Sequence, residues 1–140
     1  MEKKESQVIR TIREALVKAS EKGEDLKTKV TQITKDVVKK ALEKTDQTQE
    51  KVEEAAKDAM QGVIEGAREA KVEAFEVTKQ AAEGVVEGTK QAGAKAANLA
   101  EQAAKATLES AKRAGDRAEE MAKEALKGLI GGTKDVLKKK

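Results

Sequence analysis

Gly62-Val63-Ile64-Glu65-Gly66-Ala67-Arg68-Glu69-Ala70 is answered twenty-two residues later by Gly84-Val85-Val86-Glu87-Gly88-Thr89-Lys90-Gln91-Ala92. Two further copies keep the pitch, Ala106 to Ala114 and Gly128 to Val136, and a fainter one, Lys40 to Thr45, comes before them. Repetition on this scale means that one structural unit has been reused. Each copy also divides into two elevens. Written in rows of eleven from Val8, one column reads Thr34, Thr45, Ala56, Ala67, Thr78, Thr89, Ala100, Ala111, Ala122, and a second reads Leu26, Val37, Thr48, Ala59, Ala70, Ala81, Ala92, Ala103. A third reads Val8, Ala19, Val30, Ala41, Val52, Val63, Ala74, Val85, Ala96, Thr107, Ala118, Leu129. Eleven residues make three helical turns, so the three columns share one sector of a helix. The fold class this dictates is all-α: long amphipathic helices with 11/22-residue periodicity, extended or folded back as a hairpin or small bundle.

The polar columns are equally regular. Glutamates 54, 65, 76, 87 and 109 each precede Lys57, Arg68, Lys79, Lys90 or Lys112 by three residues, an arrangement that supports a helix by about 0.2–0.5 kcal/mol per pair. This is the pattern of a solvated face. A break is expected near one of two places where glycine or polar residues interrupt it: Ser20 to Asp25, or Thr45 to Gln49 with capping-box spacing between Asp46 and Gln49. Gly115-Asp116 and Gly131-Gly132 are weaker signals. The division that follows is an N-terminal helical segment over 1–24, a second over 25–47 with a turn near 45–49, a long repeat helix over 48–137, and a basic tail over 138–140.

Composition removes most chemistries. The chain has 140 residues, 39% of them charged and 38% apolar, and much of the apolar share is alanine. It contains no Cys, His, Trp, Tyr or Pro and a single aromatic residue, Phe75. Disulfides, imidazole catalysis and the usual transition-metal ligands are therefore excluded together. The glutamates have no shaped pocket to separate their pKa values, so no enzyme and no cofactor are expected. Gly128 to Lys134 has the glycines of a phosphate loop without its Gly-Lys-Ser/Thr order or a preceding strand. A net charge of +3, from 29 basic and 26 acidic residues, and the lack of aromatic platforms argue against nucleic acid as a partner. No apolar run reaches the length that spans a membrane, and none resembles a signal peptide, so a cytoplasmic protein is expected.

What remains is a surface. The larger apolar residues weave across the stripe, and the expected interaction face comprises Val38, Leu42, Met60, Val63, Ile64, Phe75, Val85, Val86, Leu108, Leu126, Leu129 and Ile130. Two partners, one on each flank, could use it. Paired small residues, Gly62/Gly66, Gly84/Gly88 and Gly128/Gly132, mark places where another helix can approach closely.

Thr78-Lys79-Gln80-Ala81-Ala82-Glu83-Gly84 and Ala103 to Lys112 resemble the eleven-residue repeats of group 3 late embryogenesis abundant proteins. Gly84 to Gln91 and Gly131 to Val136 are similar to the repeats of perilipins and synucleins. The likeness covers about Lys35 to Val136, although the lysine flanking on both edges seen in synuclein-like lipid binders is missing. It implies a non-enzymatic chain, disordered or partly helical in dilute water, that gains helix on drying or on a lipid surface. Three functions are then open: stress protection by coating apolar surfaces, a helical structural or self-associating interaction protein, and a peripheral lipid or storage-granule binder. The partners are correspondingly a second copy, client proteins or a lipid surface.

Overall fold

A computed structural model describes residues 6–127, and all structural statements refer to these. The described chain is helical and contains no strand. Its elements are α1 (Gln7–Glu21), α2 (Leu26–Glu43), α3 (Gln49–Glu69), α4 (Ala74–Ala92), a single turn α5 (Ala94–Ala97), α6 (Ala100–Ala114) and α7 (Asp116–Lys127).

Local chemistry sets the first three starts. Ser6 is extended and its Oγ accepts from the Val8 and Ile9 amides at 3.1 and 3.3 Å. Asp25 accepts from Lys27 N at 3.0 Å, and Thr48 from Lys51 N at 3.2 Å. Each hydroxyl or carboxylate satisfies amides that the first turn leaves without a carbonyl. Thr48 thus starts α3, not the Asp46 expected from capping-box spacing. The ends are set by left-handed residues. Gly23, at φ 77°, closes α1 with Glu24 N bonded to Ala19 O at 2.9 Å. Lys71, at φ 65°, makes the same closure on α3, with Val72 N bonded to Ala67 O at 2.8 Å. Both are the wide six-residue loop that ends many helices, usually with glycine at the turning point.

A break is expected at one of 20–25 and 45–49, and the chain turns at both; Gly115 also separates α6 from α7. The unbroken helix expected from 48 onward is corrected: the chain leaves the helix at 70–73, at Gly93, at 98–99 and at Gly115. Left-handed or glycine turning points fall at Gly23, Gln47, Lys71, Gly93 and Gly115, so successive ones lie 24, 24, 22 and 22 residues apart. One repeat is one helix and its turn. The turns preserve the columns because they are themselves part of the period.

The helices form three antiparallel hairpins stacked in order: α1/α2, then α3/α4, then α6/α7. α1 runs along α3 and α2 along α4, α6 lies on the other side of α3, and α7 on the other side of α4. The first and third layers make no substantial contact with each other. Stacks in which each hairpin meets only its neighbours hold together by the sum of layer and interface stabilities.

Glycine sets the spacing between the first two layers. A Cβ placed on Gly62 would lie 2.9 Å from Ile9 O, and one on Gly66 would lie 3.0 Å from Leu16 Cβ. On α4, a Cβ at Gly84 would lie 2.7 Å from Thr34 Cβ, and at Gly88 2.6 Å from Lys35 O. The order of contacts, 9 before 16 against 62 before 66, and 34 before 35 against 84 before 88, makes both pairs parallel. In α1 and α2 the positions corresponding to these glycines by the 22-residue period are Lys18, Lys22, Lys40 and Lys44, all exposed. Among the described residues nothing stacks there. A layer that ends a stack needs such a polar outer face.

Buried threonines fit the core by bonding their own helix. Thr78, Thr89 and Thr107 donate to the carbonyls of Ala74, Val85 and Ala103 at 2.7–2.8 Å. Thr34 is fully buried and its hydroxyl has no such partner, which nothing in the structure explains.

Gln47 ties the two ends of the middle layer together. Its amide nitrogen donates to Leu42 O at 3.2 Å and Ala92 O at 3.1 Å, while its oxygen accepts from Ala96 N at 3.1 Å. These bonds satisfy backbone groups at the end of α2, the end of α4 and the start of α5.

Candidate interaction surfaces

The face expected to meet a partner is mostly turned inward. Val38, Leu42, Met60, Val63, Val85, Val86, Leu108 and Leu126 are each no more than 1% exposed, buried by other helices of the same chain. The two partners, one per flank, are for the middle layer the hairpins on either side of it. Gly62, Gly66, Gly84 and Gly88 sit where helices approach closely. Leu129, Ile130, Gly128 and Gly132 lie outside the described residues. From the expected face only Ile64 and Phe75 keep substantial exposure.

The core is not uniform along the stack. Of its buried apolar residues, the first layer contributes Ile9, Ile12, Leu16, Leu26, Val30, Val38 and Leu42 beside one alanine, Ala19. Among the described residues the third layer contributes Leu108 and Leu126 beside eight alanines, at 100, 103, 104, 106, 111, 118, 122 and 125. A buried leucine contributes about 1.5–3 kcal/mol and each missing methylene removes about 0.8. Over the described residues the third layer therefore buries much less apolar bulk than the first. Few large side chains also mean that its helices rest on backbone-close contacts, which fail together when the spacing changes.

Glu65, Lys57 and Glu109, expected to pair along their own helices, reach between helices instead. Arg13 of α1 donates from Nη1 to Glu65 Oε1 of α3 at 2.9 Å and lies 3.7 Å from Glu69. Gln61 also donates to Glu65, at 2.8 Å. Lys57 of α3 meets Glu109 of α6 at 3.9 Å. The i, i+3 spacing thus conceals a different role, because the residues at these columns also rim the grooves between layers.

Asp58 sits half-buried on α3. Burial raises its carboxyl above the ordinary aspartate value of 3.8, Glu54 adds to the rise, and a hydrogen bond with Ser6 opposes it. A carboxyl with a raised folded-state pKa favours the native state in its protonated form, a contribution present below 3.8 and lost as pH climbs through the folded value. Asp58→Asn is therefore expected to raise the melting temperature at pH 7, with the gap to the parent protein closing below pH 3.8. An unchanged or lower melting temperature at pH 7 contradicts this.

Ile64 lines a cleft of about 260 Å³ between α3 and α6, together with Lys57, Arg68, Ser110 and Arg113. The cleft continues past Ile64 and Arg68 into another of about 370 Å³ at the α3–α4 turn, reaching Lys71, Val72 and Ala114. Beyond it, Arg117 lies over the Phe75 ring at 4.0 Å from the centroid, a cation–π contact. A separate cleft of about 240 Å³ on the outer side of the first layer is lined by Val8, Thr11, Val37, Ala41, Lys40 and Lys44, among others. Among the described residues no group of three or more His, Cys, Asp or Glu side chains could hold a metal ion, and no helix is long and apolar enough to cross a membrane. Comparison with protein-family models, curated proteins and solved structures finds no match for this chain.

Proposed function

We propose that this is a non-enzymatic, cytoplasmic stress-protection or surface-coating protein whose apolar helix face has two alternative uses. With nothing to coat, the face closes the three-layer stack. On an exposed apolar surface, the weakly held third layer opens and α6 and α7 spread their Ala/Thr face there, while the charged face stays in water. The observation that supports this reading is the alanine-built third layer, whose burial stabilises it so little that a foreign surface can compete. An interfacial helix of this type binds through modest apolar area, so attachment is weak and reversible. The lipid-binding reading requires the same opening, since Val63, Val85 and Val86 are in the core.

The chain lacks cysteine, so one pair can be introduced cleanly. Lys57→Cys with Glu109→Cys, joined by a flexible bis-maleimide, ties α6 to α3 across the place of their ion pair. Light scattering from a thermally unfolding reporter enzyme then measures protection. Protection by the unlinked protein and its loss in the linked one is the expected result. Equal protection by both shows that opening is unnecessary and favours the second reading, a closed helical scaffold, which the preformed glycine crossings support. Protection by neither ends the coating reading.

A further inference from the structure

Only five of the 29 basic residues are arginine, and three of these, Arg68, Arg113 and Arg117, gather along the α3–α6 groove and its continuation at the α6–α7 bend. In a chain whose other basic residues, apart from Arg10 and Arg13, are all lysine, this placement is a chemical choice. Lysine suffices as a solvated charge, whereas the guanidinium is planar, weakly hydrated and matched to two oxygens of a carboxylate at once. Arg68 and Arg113 line the same cleft and neither has a carboxylate partner among the described residues. The one acid in that cleft, Glu65, already accepts from Arg13 and Gln61. Ile64 is the apolar residue lining it, and Val72 and Ala114 line its continuation at the turn beside Lys71.

We propose that this groove in the closed stack binds an acidic, leucine-bearing segment of a partner protein, its carboxylates on Arg68 and Arg113 and one apolar side chain on Ile64. The concave shape favours a polypeptide over a lipid bilayer: a flat membrane rests on ridges, whereas a side chain enters a cleft of about 260 Å³. Charge complementarity sets the sign of the partner. Binding here requires no opening of the third layer, so it stands apart from the coating function.

Fluorescence anisotropy of a labelled peptide with the repeat Leu-Glu-Glu tests this, using the full chain and its variants. Saturable one-to-one binding is expected. Arg68→Gln and Arg113→Gln are each expected to weaken it about tenfold, in line with loss of one charge-assisted bond. Arg68→Lys recovers only part of the loss, and Ile64→Ser weakens binding of the Leu-Glu-Glu peptide while leaving that of plain polyglutamate unchanged. Hydrogen exchange of the peptide-bound protein should leave the amides of α6 as protected as in the free protein, which separates failure here from failure of the opening. Circular dichroism confirms that the variants remain helical. Absence of saturable binding overturns the proposal, as does equal weakening by Lys40→Gln/Lys44→Gln on the far layer, the mark of non-specific attraction. Two other outcomes overturn it: tighter binding to anionic phosphatidylserine vesicles that R68Q/R113Q abolishes, and dimerisation in sedimentation equilibrium that the same pair of changes abolishes.

Discussion

Gly88→Ala is expected to destabilise the protein by about 1–3 kcal/mol, although alanine is the better helix former by about 1 kcal/mol. The added methyl would lie 2.6 Å from Lys35 O and 3.0 Å from Val38 Cβ. The nearest atom is backbone and cannot rotate away, so α2 and α4 must separate along their length. Gly84→Ala meets Thr34 Cβ at 2.7 Å and Thr31 O at 2.8 Å and should cost a similar amount. Gly66→Ala is the instructive contrast: its closest atoms, Leu16 Cβ and Cδ1, lie farther off, both at 3.0 Å, and of these Cδ1 can rotate away. Chemical denaturation of the three variants should place Gly66→Ala well above the other two. A Gly88→Ala protein that melts higher than the parent would mean that the two helices do not cross this closely.

The second large effect is expected from Leu108→Ala. Truncating a fully buried leucine costs about 2–5 kcal/mol, depending on how far the surroundings collapse. Leu108 is 1% exposed and, among the described residues, one of two large buried side chains in the third layer. Its loss should exceed what that layer's alanines supply. The variant is expected to melt in two steps, with amides of 100–114 exchanging hydrogen rapidly while those of α1 to α4 remain protected. Leu16→Ala, in the first layer, is also destabilising but has Ile12, Val30 and Val38 in the same core cluster, and should lower the main transition instead of splitting it. A single cooperative transition in Leu108→Ala would show that the layers are one cooperative unit. The same result would weaken the proposed opening, because a third layer that cannot leave alone cannot serve as a coat.

How far the arrangement can be read without coordinates differs from residue to residue. The three apolar columns name much of the core directly: Val30, Val52, Val63, Val85, Ala59, Ala81, Ala103, Ala67 and Ala111 are all buried. Gly62, Gly66, Gly84 and Gly88 announce close crossings, since adjacent small side chains on one helix face have little other use. Lys71 could not be found this way. It turns the chain with φ 65°, a conformation that costs a lysine energy and leaves no trace in the pattern. Gln47 likewise reads as one more polar residue in a polar patch, yet its amide binds three backbone groups. Arg13 and Glu65 are separated by 52 residues, and no local periodicity connects them. The arginine groove left one signal, arginine where the chain elsewhere prefers lysine.

Periodicity by itself determined that the chain is helical, which residues share a face, and where that face is narrow enough for another helix to approach. These are properties of one turn and its neighbours, fixed by side-chain spacing over eleven residues. Whether the face looks outward or inward was decided only by tertiary structure. A straight rod and a stack of hairpins present the same columns, because a turn as long as the remainder of the repeat leaves the phase untouched. Choosing between them depends on the closing contacts of Ile12, Leu16, Val38 and Leu42 with a second layer more than forty residues away, and on left-handed turning points at residues 23, 47 and 71 that let those contacts form.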